Sequence, residues 1–237
     1  MIDINCDIGE GLGNESEIMP LISSCNISCG AHAGSITSID NAINLAIEND
    51  VLIGAHPSFP DKENFGRKVM KISNQDLQQN IEDQLRLFKK RVDLQNAKIH
   101  HVKPHGALYN LIAIDEEKAT VVINAILNTL KDVKLYVPFN SVIERVAIKK
   151  QIPVVYEAFA DRNYNDNLTL VSRSLPYAII IDKENVLKHV KKMSEASLVR
   201  SVQDNEIAIL AQTFCVHGDN KYVLDILKHL HEHLEIK

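Results

Sequence analysis

The chain has 237 residues, enough to bury a sizeable core, and one domain of that size is normal for α/β barrels. Its 45% hydrophobic and 24% charged residues suit a soluble globular protein, and a net charge of −5 with interspersed acids and bases argues against nucleic acid or an anionic membrane as partner. No apolar run approaches a membrane span, and no leader-like segment precedes the strand pattern at Ile2. Cys6, Cys25, Cys29 and Cys215 sit in apolar segments, as expected for buried free thiols in a reducing cytoplasm.

Residues 2–7 alternate like a strand and run into a loop in which Gly9, Gly11 and Gly13 surround Glu10. That loop is not a Walker phosphate cradle, and no such pattern occurs anywhere in the chain. Residues 24–29 form the second predicted strand, closed by Gly30-Ala31-His32-Ala33-Gly34; Cys25 and Cys29 share a face there but lack a metal knuckle. Ile39, Ala42, Ile43, Ala46 and Ile47 mark a helix, with Thr37 and Asp40 as its expected capping box. Residues 51–55 give the third strand, ending in His56-Pro57. The long loop after it carries Phe65-Gly66-Arg67 and reads as a lid that brings a cation to a substrate. The plainer alternative is a surface excursion with Arg67 in a salt bridge. Ser73 and Asp76 then open a helix striped by Leu77, Ile81, Leu85, Phe88 and Val92.

Residues 97–102 are predicted as the fourth strand, which discharges into Lys103-Pro104-His105-Gly106. The proline stops sheet pairing and the glycine lets the chain turn away, leaving a cation and an imidazole at the mouth of a strand. Lys103→Met and His105→Ala are accordingly expected to fold near normally and to lose activity. Residues 119–130 carry the next helical stripe, and residues 134–137 and 153–156 are strands five and six around a stripe of Val142, Ile143, Val146 and Ala147. Strand six empties into Glu157-Ala158-Phe159-Ala160-Asp161-Arg162. A short apolar run (177–181) and a helix through Val186, Leu187, Val190 and Met193 follow. Residues 206–216 are strand-like throughout and end in His217-Gly218-Asp219. The last helix uses Val223, Leu227, Leu230 and Leu234; His229, His231 and His233 read as its solvated face rather than a metal tract.

Strands alternating with helices imply parallel βαβ units, and seven or eight of them in this length fit a closed barrel. In such a barrel the polar residues at the strand ends converge on one rim: Asp7, Glu10, His32, His56, Lys103, His105, Glu157, Asp161, Arg162, His217 and Asp219. Histidines among carboxylates can hold a divalent metal and activate water, or shuttle protons without one. Lys103, Arg67 and Arg162 can bind a carboxylate or phosphate. No GxSxG elbow is present and no cysteine lies in a reactive-looking turn, so the residues point to a barrel hydrolase acting on an anion.

Seven segments carry a resemblance to a known family: Asp3-Ile4-Asn5-Cys6-Asp7-Ile8-Gly9-Glu10-Gly11, Asn26-Ile27-Ser28-Cys29-Gly30-Ala31-His32-Ala33-Gly34, Ile53-Gly54-Ala55-His56-Pro57, Phe65-Gly66-Arg67, His101-Val102-Lys103-Pro104-His105-Gly106-Ala107-Leu108-Tyr109-Asn110, Glu157-Ala158-Phe159-Ala160-Asp161-Arg162 and Cys215-Val216-His217-Gly218-Asp219. In order and spanning nearly the whole chain, they resemble the LamB/YcsF family, associated with the A subunit of bacterial 5-oxoprolinase. The resemblance implies a single (β/α) barrel domain over residues 1–237, of the glycoside hydrolase/deacetylase type. It further implies a cytoplasmic hydrolase that opens the lactam of 5-oxo-L-proline to L-glutamate at the expense of ATP, with Mg²⁺, together with two further subunits.

Within that frame Asp7, Glu10, His32, His56, Lys103, His105 and Asp161 are the expected catalytic residues. Asn5, Arg67, Tyr109, Glu157, Arg162 and His217 are the expected substrate-binding residues. Asp7, His32 and His56 are candidate ligands if a divalent metal is bound. A metal-dependent deacetylase or amidohydrolase on the same fold and a non-catalytic regulatory subunit are the alternatives, and a homo-oligomer stays open. The chain departs from the family pattern at Ala31, at Ile36-Thr37 and at Asp166-Asn167, the last in the loop leading to Arg173.

Overall fold

The alternation of strand and helix closes on itself in the computed structural model, which describes all 237 residues. The strands in chain order are β1 (Ile4–Ile8), β2 (Ser24–Ser28), β3 (Leu52–His56), β4 (His101–Val102), β5 (Lys134–Pro138), β6 (Val154–Phe159), β7 (Leu198–Arg200), β8 (Glu206–Ala208) and β9 (Thr213–Val216). β1 to β6 and β9 form a closed, all-parallel, seven-stranded barrel, and β7 and β8 form a separate antiparallel pair. Closure falls to β9, which pairs with β6 through Glu157↔Thr213 and with β1 through Ile4↔Phe214.

Around the barrel lie α1 (Glu15–Ile18), α2 (Ile36–Glu48), α3 (Asn74–Leu94), α4 (Gly106–Ile112), α5 (Glu116–Thr129), α6 (Val142–Lys149), α7 (Lys183–Ala196) and α8 (Val223–His233). Every residue of β1, β2 and β9 is buried, because helices cover the outer face and the barrel fills the inner one. The apolar residues Ile4, Cys6, Ile8, Cys25, Ile27, Ala55 and Val102 belong to the core. The alternate positions are polar, and they bond across the barrel: Ser24 Oγ lies 3.1 Å from Tyr136 Oη on β5, and Asn5 Nδ2 donates to Thr213 Oγ1 at 2.9 Å. All four cysteines are buried and free, and no helix is long and apolar enough to cross a membrane.

Several local expectations change. Of residues 97–102 only His101 and Val102 pair as strand, with Gly54 and Ala55 of β3 and with Lys134 and Leu135 of β5, while His100 adds one backbone bond to Ile53 and accepts one from Lys134. The apolar run 206–216 changes partners midway: β8 pairs with β7 outside the barrel, and only residues 213–216 enter it. The short apolar run 177–181, to which no element is assigned from sequence, contributes a bridge from Ile179 to Arg162. The cap of α2 is Ser35 with Ser38, whose hydroxyl accepts from Ser35 N at 2.7 Å. Asp40 is instead drawn to Arg91 Nε, 2.7 Å away on α3. α4 is not anticipated by the stripe rule, since its seven residues are too few to show one. His229 is not solvated: it is buried where α8 packs on α7, with Glu184 Oε1 3.2 Å from Nε2.

Candidate functional site

The strands run in one direction, so their C-terminal ends form one rim. Asp7, His56 and Glu157 lie in the last turns of β1, β3 and β6, and Glu10, His32, Lys103, His105, Asp161 and His217 follow their strands directly.

The floor is built around Lys103. Pro104 lacks an N–H and ends the pairing of β4, and the lysine side chain turns into the barrel, where it is 2% exposed. Its Nζ lies 2.9 Å from Glu157 Oε1 and 3.0 Å from Asp7 Oδ1, and donates also towards Asn5 Oδ1 (3.3 Å) and Cys215 Sγ (3.1 Å). Burial works against the ammonium, but the Asp7 charge, with Cys215 and Glu157, raises its pKa well above the ordinary value. Burial likewise opposes the Asp7 carboxylate, yet His56 and Lys103 hold its pKa well below the usual range. The two are therefore a buried ion pair.

Asn26 supports this pair from β2. Its Nδ2 donates to Asp7 Oδ1 at 2.9 Å and to Asn5 Oδ1 at 2.8 Å, and its Oδ1 accepts from His101 Nε2 at 2.7 Å. The His101 ring stacks on Tyr136 with centroids 3.8 Å apart. It occupies space that only a glycine leaves free, since a Cβ on Gly54 would sit 2.1 Å from His101 Nε2. Burial pushes His101 well below the usual imidazole range, so the ring is neutral and fixed as a donor to Asn26.

Beside the floor, Glu10, His32, His56 and His105 converge. Glu10 Oε1 lies 3.2 Å from His32 Nε2, 3.5 Å from His105 Nδ1 and 4.0 Å from His56 Nε2. His32 and His105 stack in parallel at 3.9 Å. His56 Nδ1 donates to the Lys103 carbonyl at 2.6 Å, and His105 Nε2 donates to the Phe65 carbonyl at 3.0 Å. Each ring has thus spent its N–H on a carbonyl. The nitrogens left over, His56 Nε2 and His105 Nδ1, face each other at 2.9 Å. With both rings neutral, two lone pairs would meet there, so the contact calls for a positive centre: a proton, or a metal ion shared with Glu10.

The four groups can bring their ligating atoms within 4.8 Å of one another, and His32 Nδ1 is buried without a partner. Burial, then His56, lowers the His32 pKa to about 3, which leaves it a neutral ligand. Burial, then the Asp7 and Asp219 charges, raises Glu10 well above the ordinary carboxylate value. The donor set of imidazoles and one carboxylate fits a divalent ion of the zinc type. Asp7, the expected third ligand, approaches this group only through His56, with Oδ2 3.4 Å from Nε2.

Across the rim, His217 Nδ1 donates to Asp161 Oδ1 at 2.7 Å, and Asp161 Oδ2 accepts from His217 N and from Asn220 Nδ2. His217 lines a cavity of about 310 Å³ together with Asp7, His56, Lys103, His105, Arg67 and Tyr109, whereas Asp161 is fully buried behind it. Asp161 thus meets the cavity only through His217. Arg162 also lines the cavity, but its Nε and Nη2 are spent on the carbonyls of Ala178 and Val171. Asn5 lies beneath the floor, bonded to Thr213 and Asn26. The Tyr109 hydroxyl is buried beside Glu157, which takes the Lys103 ion pair. Tyr109, Asn110, Phe159, Leu170 and Ser172 line both this cavity and a second one of about 640 Å³.

Four contributors escape a reading of strand ends: Asn26 and His101, both inside strands, Cys215 beside the Lys103 ammonium, and Arg173 at the cavity mouth. Polar residues in otherwise apolar strands are the signal that finds the first two.

The model of the LamB/YcsF family matches residues 2–237. The chain is 41% identical over 239 residues to the 5-oxoprolinase A subunit of Campylobacter jejuni subsp. doylei, covering 99% of this chain and 94% of that protein. It is 39% identical over 234 residues to the 5-oxoprolinase A subunit of Haemophilus influenzae, covering 99% and 96%. Among solved structures, the lactam utilization protein of Thermus thermophilus superposes with a TM-score of 0.89 at 34% identity, covering 98% of this chain and 96% of that one.

Proposed function

The chain belongs to the LamB/YcsF family, and from that premise we propose that it is the barrel subunit of an ATP-dependent 5-oxoprolinase, which opens the lactam of 5-oxo-L-proline to L-glutamate with two partner subunits. The observation that carries this reading is the joining of two groups at one cavity: the Asp7–Lys103 pair, and His56 and His105, through which the cluster they form with Glu10 and His32 reaches the same space. Relatives that this chain matches end to end bear the name of the A subunit of that enzyme.

A five-membered lactam resists water, and phosphorylation of its carbonyl oxygen by ATP activates the ring carbon. Water adds there, the C–N bond breaks as the nitrogen takes a proton, and the acyl phosphate so formed is hydrolysed by a second water to glutamate and phosphate. With no Walker loop in this chain, ATP and its Mg²⁺ are shared with the partner subunits. The protein's own residues then bind, orient and move protons. His217, fixed by Asp161 with its proton on Nδ1, presents Nε2 to the cavity as the acceptor of a proton from attacking water. Lys103 keeps Asp7 ionised, and His217, once it has taken the water proton, is the group placed at the cavity to return a proton to the ring nitrogen. A divalent ion held by Glu10, His32, His56 and His105 would supply Lewis-acid polarisation of the carbonyl.

Glutamate release should require ATP and the partner subunits together with this chain, and His217→Ala should lower it by a factor of about 10²–10⁴. No release from the complete mixture would defeat the reading, and full turnover by the partners alone would make this chain regulatory. The histidine cluster favours one second reading, a metal-dependent amidohydrolase. That enzyme would hydrolyse its amide without ATP and stop on chelation. In either case the metal content of the purified protein should be near stoichiometric and should fall in His105→Ala.

A further inference from the structure

Two arginines stand at the cavity mouth, and a single carboxylate holds both. Arg67 comes from the loop after β3, Arg173 from the loop after β6, and Asp219 from the loop after β9. Arg67 Nη2 and Arg173 Nη1 both donate to Asp219 Oδ2, the latter at 3.0 Å. Each guanidinium spends one nitrogen in this way and keeps the others uncommitted. Both arginines line the cavity, whereas Asp219 lines a different one beside Gly218 and Asn220.

The two cations are braced from outside. The Arg67 guanidinium lies 4.7 Å over the ring of Phe65, the residue whose carbonyl receives His105. Arg162 grips the carbonyls of Val171 and Ala178, on either side of Arg173 in sequence, and Asp166 ties the same loop to Asn205 at 3.0 Å. Two positive charges around one negative charge leave the mouth cationic. The floor, by contrast, gathers Asp7 and Glu157 around the one ammonium of Lys103. An anionic ligand is repelled by such a floor and drawn to such a mouth.

We propose that Arg67 and Arg173 clamp the carboxylate of the substrate at the mouth, so that its neutral lactam ring points to the floor, and that Asp219 is the positioning residue that holds both guanidinium forks turned inward. The identity of the ligand rests on the 5-oxoprolinase reading; the clamp itself rests on the arginines. It also gives Arg173 a role that no strand-end pattern assigns.

The test is calorimetric titration of the full chain with three ring compounds: 5-oxo-L-proline, cyclopentanecarboxylate, which has the carboxylate without the lactam, and 2-pyrrolidinone, which has the lactam without the carboxylate. Both carboxylates should bind, and each should lose a factor of about 10–100 in affinity in Arg67→Ala and in Arg173→Ala, the loss of a charged hydrogen bond. Binding of 2-pyrrolidinone should stay unchanged. Asp219→Asn should melt as the parent does and narrow the preference for 5-oxo-L-proline over 2-pyrrolidinone. In the assembled enzyme the arginine variants should raise KM with kcat within a few-fold. Arg173→Ala binding both carboxylates like the parent, or losing all three compounds equally, would overturn the clamp. Arginine-dependent binding of cyclopentanecarboxylate with none of 5-oxo-L-proline would uphold the clamp and sink the substrate reading instead.

Discussion

Asp161 makes no contact with the cavity, yet its ionisation state matters to the whole rim. Burial pushes its carboxyl pKa upward, but the bonds from His217 and Asn220 outweigh burial and leave it below the ordinary carboxylate value. In the unfolded chain the group titrates near pH ~4. Its contribution to stability is therefore fully present above that pH and is lost as pH falls through the lower native value. Asp161→Asn should cost about 1–3 kcal/mol at pH 7 by urea denaturation, and the gap to the parent should shrink at pH 3. An equal gap at both pH values would show that ionisation of Asp161 is not what stabilises the rim. Lys103 calls for a larger correction. From sequence it reads as a rim cation whose loss spares the fold, but it is buried between Asp7 and Glu157. Removing it strands two carboxylates in the interior, at a cost of about 3–5 kcal/mol. Lys103→Met should thus melt on the order of 10 °C lower, and a parent-like melting temperature would mean that the carboxylates find another partner or a proton.

Among the elements, β3 and β4 show what a linear pattern can and cannot carry. That a strand ends at Pro104 and a turn follows is readable, because proline removes a donor and Gly106 adopts φ +55°. That the strand before it is only two residues long is not readable, since it depends on which residues come into register with β3 and β5 when the barrel closes. The same holds for residues 206–216, whose alternation suits both β8 and β9 while the partner changes between them. Gly54 is legible only in three dimensions. As the middle residue of β3 it looks like a weak point in a strand, but its missing Cβ is the seat of the His101 ring, and so of Asn26 and Asp7. Gly54→Ala should cost about 1–3 kcal/mol or more by overpacking, and should disorder Asn26 in a crystal structure of the variant. An unchanged His101 ring in that structure would show that the barrel has slack the contact distances do not suggest.

At the scale of the molecule, most of the rim was legible because a barrel converts strand-end position into spatial proximity, and strand ends are marked by glycine, proline and charge. The sequence could not show which acid pairs with which base, because partners such as Lys103 and Glu157, or His217 and Asp161, lie far apart in the chain and meet only on closure. Closure also decides how the chain unfolds. β9 is joined to both β1 and β6, Ile2 N donates to Glu235 O at 2.6 Å, and Lys237 N donates to Ile2 O at 2.9 Å. A parallel barrel that loses its last strand exposes two unpaired edges and the polar interior at once, so no partial barrel is favoured. We therefore expect residues 1–237 to behave as one cooperative domain. Far-ultraviolet circular dichroism and tyrosine fluorescence should follow a single coincident transition in urea, and a chain ending at Gln212 should not fold. Two separated transitions, or a folded protein lacking β9 and α8, would show that the first six barrel strands are stable alone and that closure serves only to shape the rim.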